Sequence, residues 1–85
     1  MPYQIKFKAS VEKDLRHIGQ QEGERILKSI HQKLATDPRK GSPLKGNKQG
    51  LWRHRVGDYR VVYTFNDHEL WILVVEIAHR KEVYR

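Results

Sequence analysis

The chain has 85 residues, no cysteine, and 17 Lys plus Arg against 10 Asp plus Glu, for a formal net charge of +7. A chain this short buries only about 60 to 65% of its unfolded surface, so one domain over residues 1–85 is expected, without disulfides, a thiolate nucleophile or cysteine-ligated zinc. No stretch approaches a signal-peptide core or a membrane span, which predicts a soluble, cytoplasmic protein with no membrane partner, whose charge serves either solubility or attraction to phosphate polymers.

Tyr3, Ile5 and Phe7 alternate with Gln4, Lys6 and Lys8, the period of a half-buried strand. Ser10 is placed to N-cap a short helix with Val11, Leu15 and Ile18 on one face, ended by Gly19. A second helix is expected from about Gln21, with Ile26, Leu27, Ile30 and Leu34 as its apolar stripe and Glu24, Lys28, Gln32 and Lys33 away from it. Asp37-Pro38 closes this helix, because a residue before proline disfavours the helical conformation. The following PRKGSPLKGNKQG segment is glycine-, proline- and cation-rich, and Leu44 is its one large apolar residue, expected to pin the loop to the core.

Leu51 to Val56 and Tyr59 to Asn66 read as strands joined by a two-residue Gly57-Asp58 turn, where glycine in first position suits type II′. Asn66-Asp67-His68 marks the next turn, and the nearly continuous apolar run LWILVVEI predicts an interior strand covered on both faces. The fold class expected is α+β: an N-terminal strand, two antiparallel helices, then a three-stranded antiparallel meander, with the helices on one face of the sheet.

The turn dictates the hairpin pairing. Trp52, His54, Val56, Tyr59, Val61 and Tyr63 fall on a largely apolar, helix-facing side, and Arg53, Arg55 and Arg60 fall together on the other. Arg55 then stands opposite Arg60, a like-charge pair that costs some tenths of a kcal/mol unless an anion compensates. Either Glu76 on the next strand supplies that charge or a phosphate does, since a planar guanidinium matches phosphate in bidentate fashion.

The GLWRHRVGDYRVVY hairpin, the apolar final strand and the terminal HRKEVYR, together with the strand–helix–helix opening and the SPLKG loop, resemble the RelE/ParE superfamily of toxins from type II toxin–antitoxin pairs. The likeness covers essentially the whole chain and implies a RelE-like fold. Arg80 and Tyr84 resemble the RelE branch, whose members cleave messenger RNA on the ribosome, whereas the ParE branch, which poisons DNA gyrase, generally lacks that pair.

The resemblance implies a metal-independent, cofactor-independent endoribonuclease in which Tyr84 takes the 2′-hydroxyl proton, Arg53 and Arg55 stabilise charge, Arg60 clamps phosphate and Arg80 assists the leaving group. The implied products are a 2′,3′-cyclic phosphate and a 5′-hydroxyl. The chain departs from the RelE pattern in having arginines rather than lysines in the hairpin and in ending directly after Tyr84. A tyrosine merely packed on the sheet edge is the plain alternative for Tyr84.

Some related nucleases carry a histidine near the chain end, which makes His79 a further acid–base residue. His54 is expected to be a satisfied core or edge residue, and His17, His31 and His68 to be solvated. Lys40, Lys45, Lys48 and Lys81 are expected to contact RNA backbone or simply to be solvated. Trp52 is expected to pack on the helices and Trp71 in the core. The implied partners are a cognate antitoxin, in a possible hetero-oligomer, and the ribosome with its messenger. A ParE-like gyrase inhibitor without nuclease activity is the competing reading.

Overall fold

The computed structural model describes residues 3–48 and 50–79. Strand β1 (Gln4–Phe7) leads into helix α1 (Ala9–Ile18) and helix α2 (Gln20–Ser29). Strand β2 (Ser42–Pro43) precedes the hairpin of β3 (Trp52–Val56) and β4 (Tyr59–Asn66), and β5 (Trp71–His79) completes the described chain. The five strands are ordered β1-β5-β4-β3-β2, with β1 parallel to β5 and all other pairings antiparallel. The expected α+β architecture is present, and β2 adds a strand too short for any period to reveal.

Helix α1 starts one residue before Ser10, with Lys8 at the N-cap position and no side-chain cap. Gly19 ends it at φ +103°, a conformation that suits glycine, and α2 follows at once. Residues Ile30–Leu34 continue α2 as a π-helical turn, closed by the Ala35 amide donating to the Ile30 carbonyl at 3.1 Å. The helical run therefore ends before Asp37-Pro38; the Asp37 carboxylate instead accepts from the Arg39 amide and caps a separate 3-10 turn, Pro38–Lys40.

Val11, Ile26, Ile30 and Leu34 from the helical segments meet Val61, Tyr63, Ile72 and Val74 from the sheet, all fully buried. Leu15, Ile18, Trp52 and Phe65 flank them, and Trp52 stacks edge-on against Phe65 at 5.3 Å. Layering is one-sided. The open face of β5 carries Trp71, Leu73 and Val75 only half-buried, so the expectation of a strand covered on both faces is corrected. A β-bulge accounts for the unbroken apolar run: Val62 pairs with Glu76 and Tyr63 with Val74, leaving Val75 as the extra residue. Without it, strict alternation from Ile72 and Val74 would send Glu76 into the core. With it, Ile77 is buried and Glu76 is exposed.

Pairing with β1 reaches only Val74, and the Ile77 amide is taken instead by the Asp14 carboxylate of α1 at 3.2 Å. Trp71 likewise departs from expectation. It lies beside Lys6, whose ammonium sits 5.6 Å from the ring, and its indole donates to Glu69 at 2.6 Å.

Leu44 is only half-buried and holds the long loop by donating its amide to the Leu51 carbonyl at 2.9 Å. The stronger anchor is Tyr63, whose buried hydroxyl donates to the Pro38 carbonyl. Burial pushes this phenol up to about 12. Gly41 passes over the same spot so closely that a Cβ there would overlap both the Arg53 carbonyl and the Tyr63 hydroxyl. The Gly41→Ala variant should lose about 2 kcal/mol through this overlap, read as a fall in Tm of about 8 to 16 °C in a thermal melt.

Candidate functional site

Gly57 opens the β3–β4 turn at φ +59°, while Asp58 keeps an ordinary negative φ, the combination a type II′ turn requires. The resulting register pairs Val56 with Tyr59, Arg55 with Arg60, His54 with Val61, Arg53 with Val62 and Trp52 with Tyr63, as the hairpin reading expects. Core side chains and arginines are thereby sorted to opposite faces.

Two rows cross the open face. Arg53, Val62 and Glu76 form one, and Arg55, Arg60 and Ala78 form the next. Among the described residues no carboxylate lies within 4 Å of Arg53, Arg55 or Arg60; the two ion pairs present are Arg25–Glu22 and Arg39–Asp67. Glu76 shares the face without pairing with the guanidiniums. Arg60 has a further deficit, because its Nε is buried and has no hydrogen-bond partner among the described residues. A buried, unsatisfied donor costs about 1 to 3 kcal/mol, and more when charged, so an acceptor at this point would stabilise the face.

The hairpin arginines are brought together, but His79 is not among them. It pairs with Tyr59 on the helix-facing side, the two rings packing edge-on at 5.2 Å. Lys13, Asp14 and His17 of α1 line the same hollow. The bulge at Val75 sets this facing, since it shifts every later residue of β5 by one place. Lys40, Lys45 and Lys48 are all exposed on the loop that leads into and out of β2, at the sheet edge beside β3. Arg80, Lys81 and Tyr84 lie outside the described residues.

His54 behaves as expected of a satisfied histidine: half-buried under α2, with Nε2 2.9 Å from the Ser29 hydroxyl. Burial, aided by the charge of Lys33, holds its pKa below the ordinary imidazole range. His17, His31 and His68 are exposed.

Two features escaped the sequence reading. Tyr3 donates to Asp67 at 2.7 Å and Arg39 pairs with the same carboxylate, tying the first strand and the loop to the Asn66–Leu70 turn. Arg25, Lys28 and Lys33 of the second helical segment also converge with Arg55 on one hollow at the hairpin turn. Neither carries a local signal, because each joins residues at least 22 positions apart in sequence.

The depressed His54 pKa has a determined sign. The unfolded chain binds this proton more readily than the folded one, so the contribution is complete above the unfolded value of about 6.5 and is lost as pH falls through the lower folded value. Urea denaturation at pH 7.5 and 5.5 should show lower stability at the acid end, and His54→Gln should reduce that difference.

Residues 5–84 match the family model described as ParE toxin of type II toxin-antitoxin system, parDE. The chain is 32% identical to Toxin RelE of Mycobacterium tuberculosis over 85 residues, covering 99% of this chain and 88% of that protein. The toxin–antitoxin complex RelBE2 of M. tuberculosis shares the fold, with a TM-score of 0.89 at 23% identity over 94% of this chain and 93% of that one. The archaeal RelE–RelB complex of Pyrococcus horikoshii aligns with a TM-score of 0.74 at 30% identity, covering 94% and 97%. The match along nearly the full length, the shared fold and the arginine-bearing hairpin agree: the chain belongs to the ParE toxin family of the RelE/ParE superfamily and is a type II toxin–antitoxin toxin.

Proposed function

We propose that this toxin is a ribosome-dependent endoribonuclease that cleaves messenger RNA in the ribosomal A site and so inhibits translation. The Arg55–Arg60 pair, which has no carboxylate partner among the described residues, together with the buried Arg60 Nε that lacks an acceptor among them, carries this reading. Kinship with toxins named RelE adds to it. Such a face holds positive charge where a phosphodiester gains negative charge in the transition state.

In the proposed reaction the messenger's 2′-oxygen attacks the adjacent phosphorus as Tyr84 removes its proton. The P–O5′ bond breaks, giving a 2′,3′-cyclic phosphate, and the departing 5′-oxygen takes a proton from water to become the 5′-hydroxyl. Arg53, Arg55 and Arg60 stabilise the phosphorane-like charge, and Arg80 stabilises the departing oxygen. A free tyrosine has a pKa of about 10, so in this scheme guanidiniums of the arginine face must favour the Tyr84 anion. The chemistry needs no metal. His79, on the other side of β5 from Ala78 and Arg60, is given no proton to move in this scheme. Lys40, Lys45, Lys48 and Lys81 would add sequence-independent backbone contacts.

A cognate antitoxin is the proposed silencing partner, as two of the similar structures are toxin–antitoxin complexes. It would act in the cytoplasm, where ribosomes and messenger are found. The ParE description of the matching family favours a second reading, a gyrase inhibitor without nuclease activity.

A purified translation reaction with a defined messenger, scored by primer extension, separates the two. The parent protein should cut only when ribosomes are present, and Tyr84→Phe and Arg60→Gln should each cut about a hundredfold or more slowly. Arg60→Gln should also melt at a temperature no lower than the parent, since it removes a like-charge neighbour and a charged orphan donor. Intact messenger together with inhibited gyrase supercoiling would replace the nuclease reading with the second one.

A further inference from the structure

At the corner where α2 meets the hairpin turn, a hollow of about 380 Å3 is lined by Arg25, Lys28, Lys33 and Arg55, with Ser29 and Gln32 between them. Among the described residues Lys28, Lys33 and Arg55 have no ion-pair partner, and Arg25 has only an exposed contact with Glu22 at 3.7 Å. Four cationic residues thus line one small volume, and no acidic residue is among those that line it.

Gly57 lies at the rim beside the Arg25 guanidinium, which would sit at ordinary contact distance, 3.4 Å, from a Cβ there. Ser29 is held in place by His54, and Gln32 offers an uncharged hydrogen-bonding group. Arg55 belongs to both surfaces, since it pairs with Arg60 on the open face and also lines the hollow. An anionic polymer lying on the arginine face can therefore pass the hairpin turn at Arg55 and continue into the hollow.

We infer that this hollow is a second phosphodiester-binding site, which takes the backbone of RNA continuous with, or folded beside, the strand on the arginine face. Guanidinium and ammonium donors there meet phosphate oxygens, contacts that position the backbone without reading sequence. The site contributes affinity and orientation, not cleavage. The inference rests on the proposal that the open face engages RNA, but not on cutting.

Its test is correspondingly a binding measurement on the full chain. A fluorescent RNA oligomer with every 2′-hydroxyl methylated cannot be cleaved, and its affinity is followed from 50 to 200 mM salt. Lys28→Gln combined with Lys33→Gln should weaken binding several-fold at every sequence tried and reduce the slope of log K against log salt by about 0.7 for each phosphate that is no longer neutralised. On the parent protein, the same oligomer should shift the NMR amide signals of Gly57 and of residues 25–33. This second arm remains decisive if the double variant fails to fold.

An unchanged slope, or amide shifts confined to the open face, would overturn the inference. So would a variant that binds RNA normally but loses affinity for purified cognate antitoxin, which would make the hollow a protein-docking surface. A parent that binds in this way yet cuts no messenger would leave the hollow intact and remove the nuclease reading.

Discussion

The architecture of the site depends on the tight turn at Gly57 and Asp58. A two-residue turn with a left-handed first residue allows one register for the strands on either side. That register places Val61 and Tyr63 in the core and Arg53, Arg55 and Arg60 on the reverse side. A slip of one residue would bury the arginines and expose the core, which one-sided helix packing forbids. The same glycine lies beside Arg25 at the rim of the basic corner.

Helices cover only one face of the sheet, and the opposite face is where the molecule carries its unfavourable electrostatics. Among the described residues Arg55 and Arg60 face each other without a carboxylate, and one guanidinium nitrogen is buried without an acceptor. Such an arrangement persists because the fully buried cluster around Ile26, Ile30, Tyr63 and Val74 outweighs it. The long loop adds to this support through Tyr63 and Gly41, which hold it against β3. Stability is concentrated on the helix-facing side of the sheet and the arginines on the other, an arrangement that stabilises the unliganded fold less than a neutral face would.

The bulge at Val75 adjusts this division near the end of β5. It rescues Glu76 from the core and keeps Ile77 inside it. It also turns His79 toward Tyr59 and α1, away from the arginines. An apolar pair such as Val74-Val75 looks the same in sequence whether or not it is bulged, which is why the run read as a strand buried on both faces and why Trp71 read as core.

Local chemistry by itself determined a large part of this protein. Period-two and helical patterns located β1, both helices and the three main strands, because burial of one face imposes that spacing on any sequence. The Gly57-Asp58 turn determined the hairpin register, and with it the grouping of Arg53, Arg55 and Arg60, because side chains alternate strictly within a paired strand. Only the tertiary structure decided what depends on distant segments meeting: the two-residue β2 pairing with β3, the parallel docking of β1 on β5, the bulge, the facing of His79 and the gathering of Arg25, Lys28 and Lys33 around Arg55. These contacts have no period and no motif. They follow from how the helical layer seats on a twisted sheet, a property of the packed whole that no short window of residues contains.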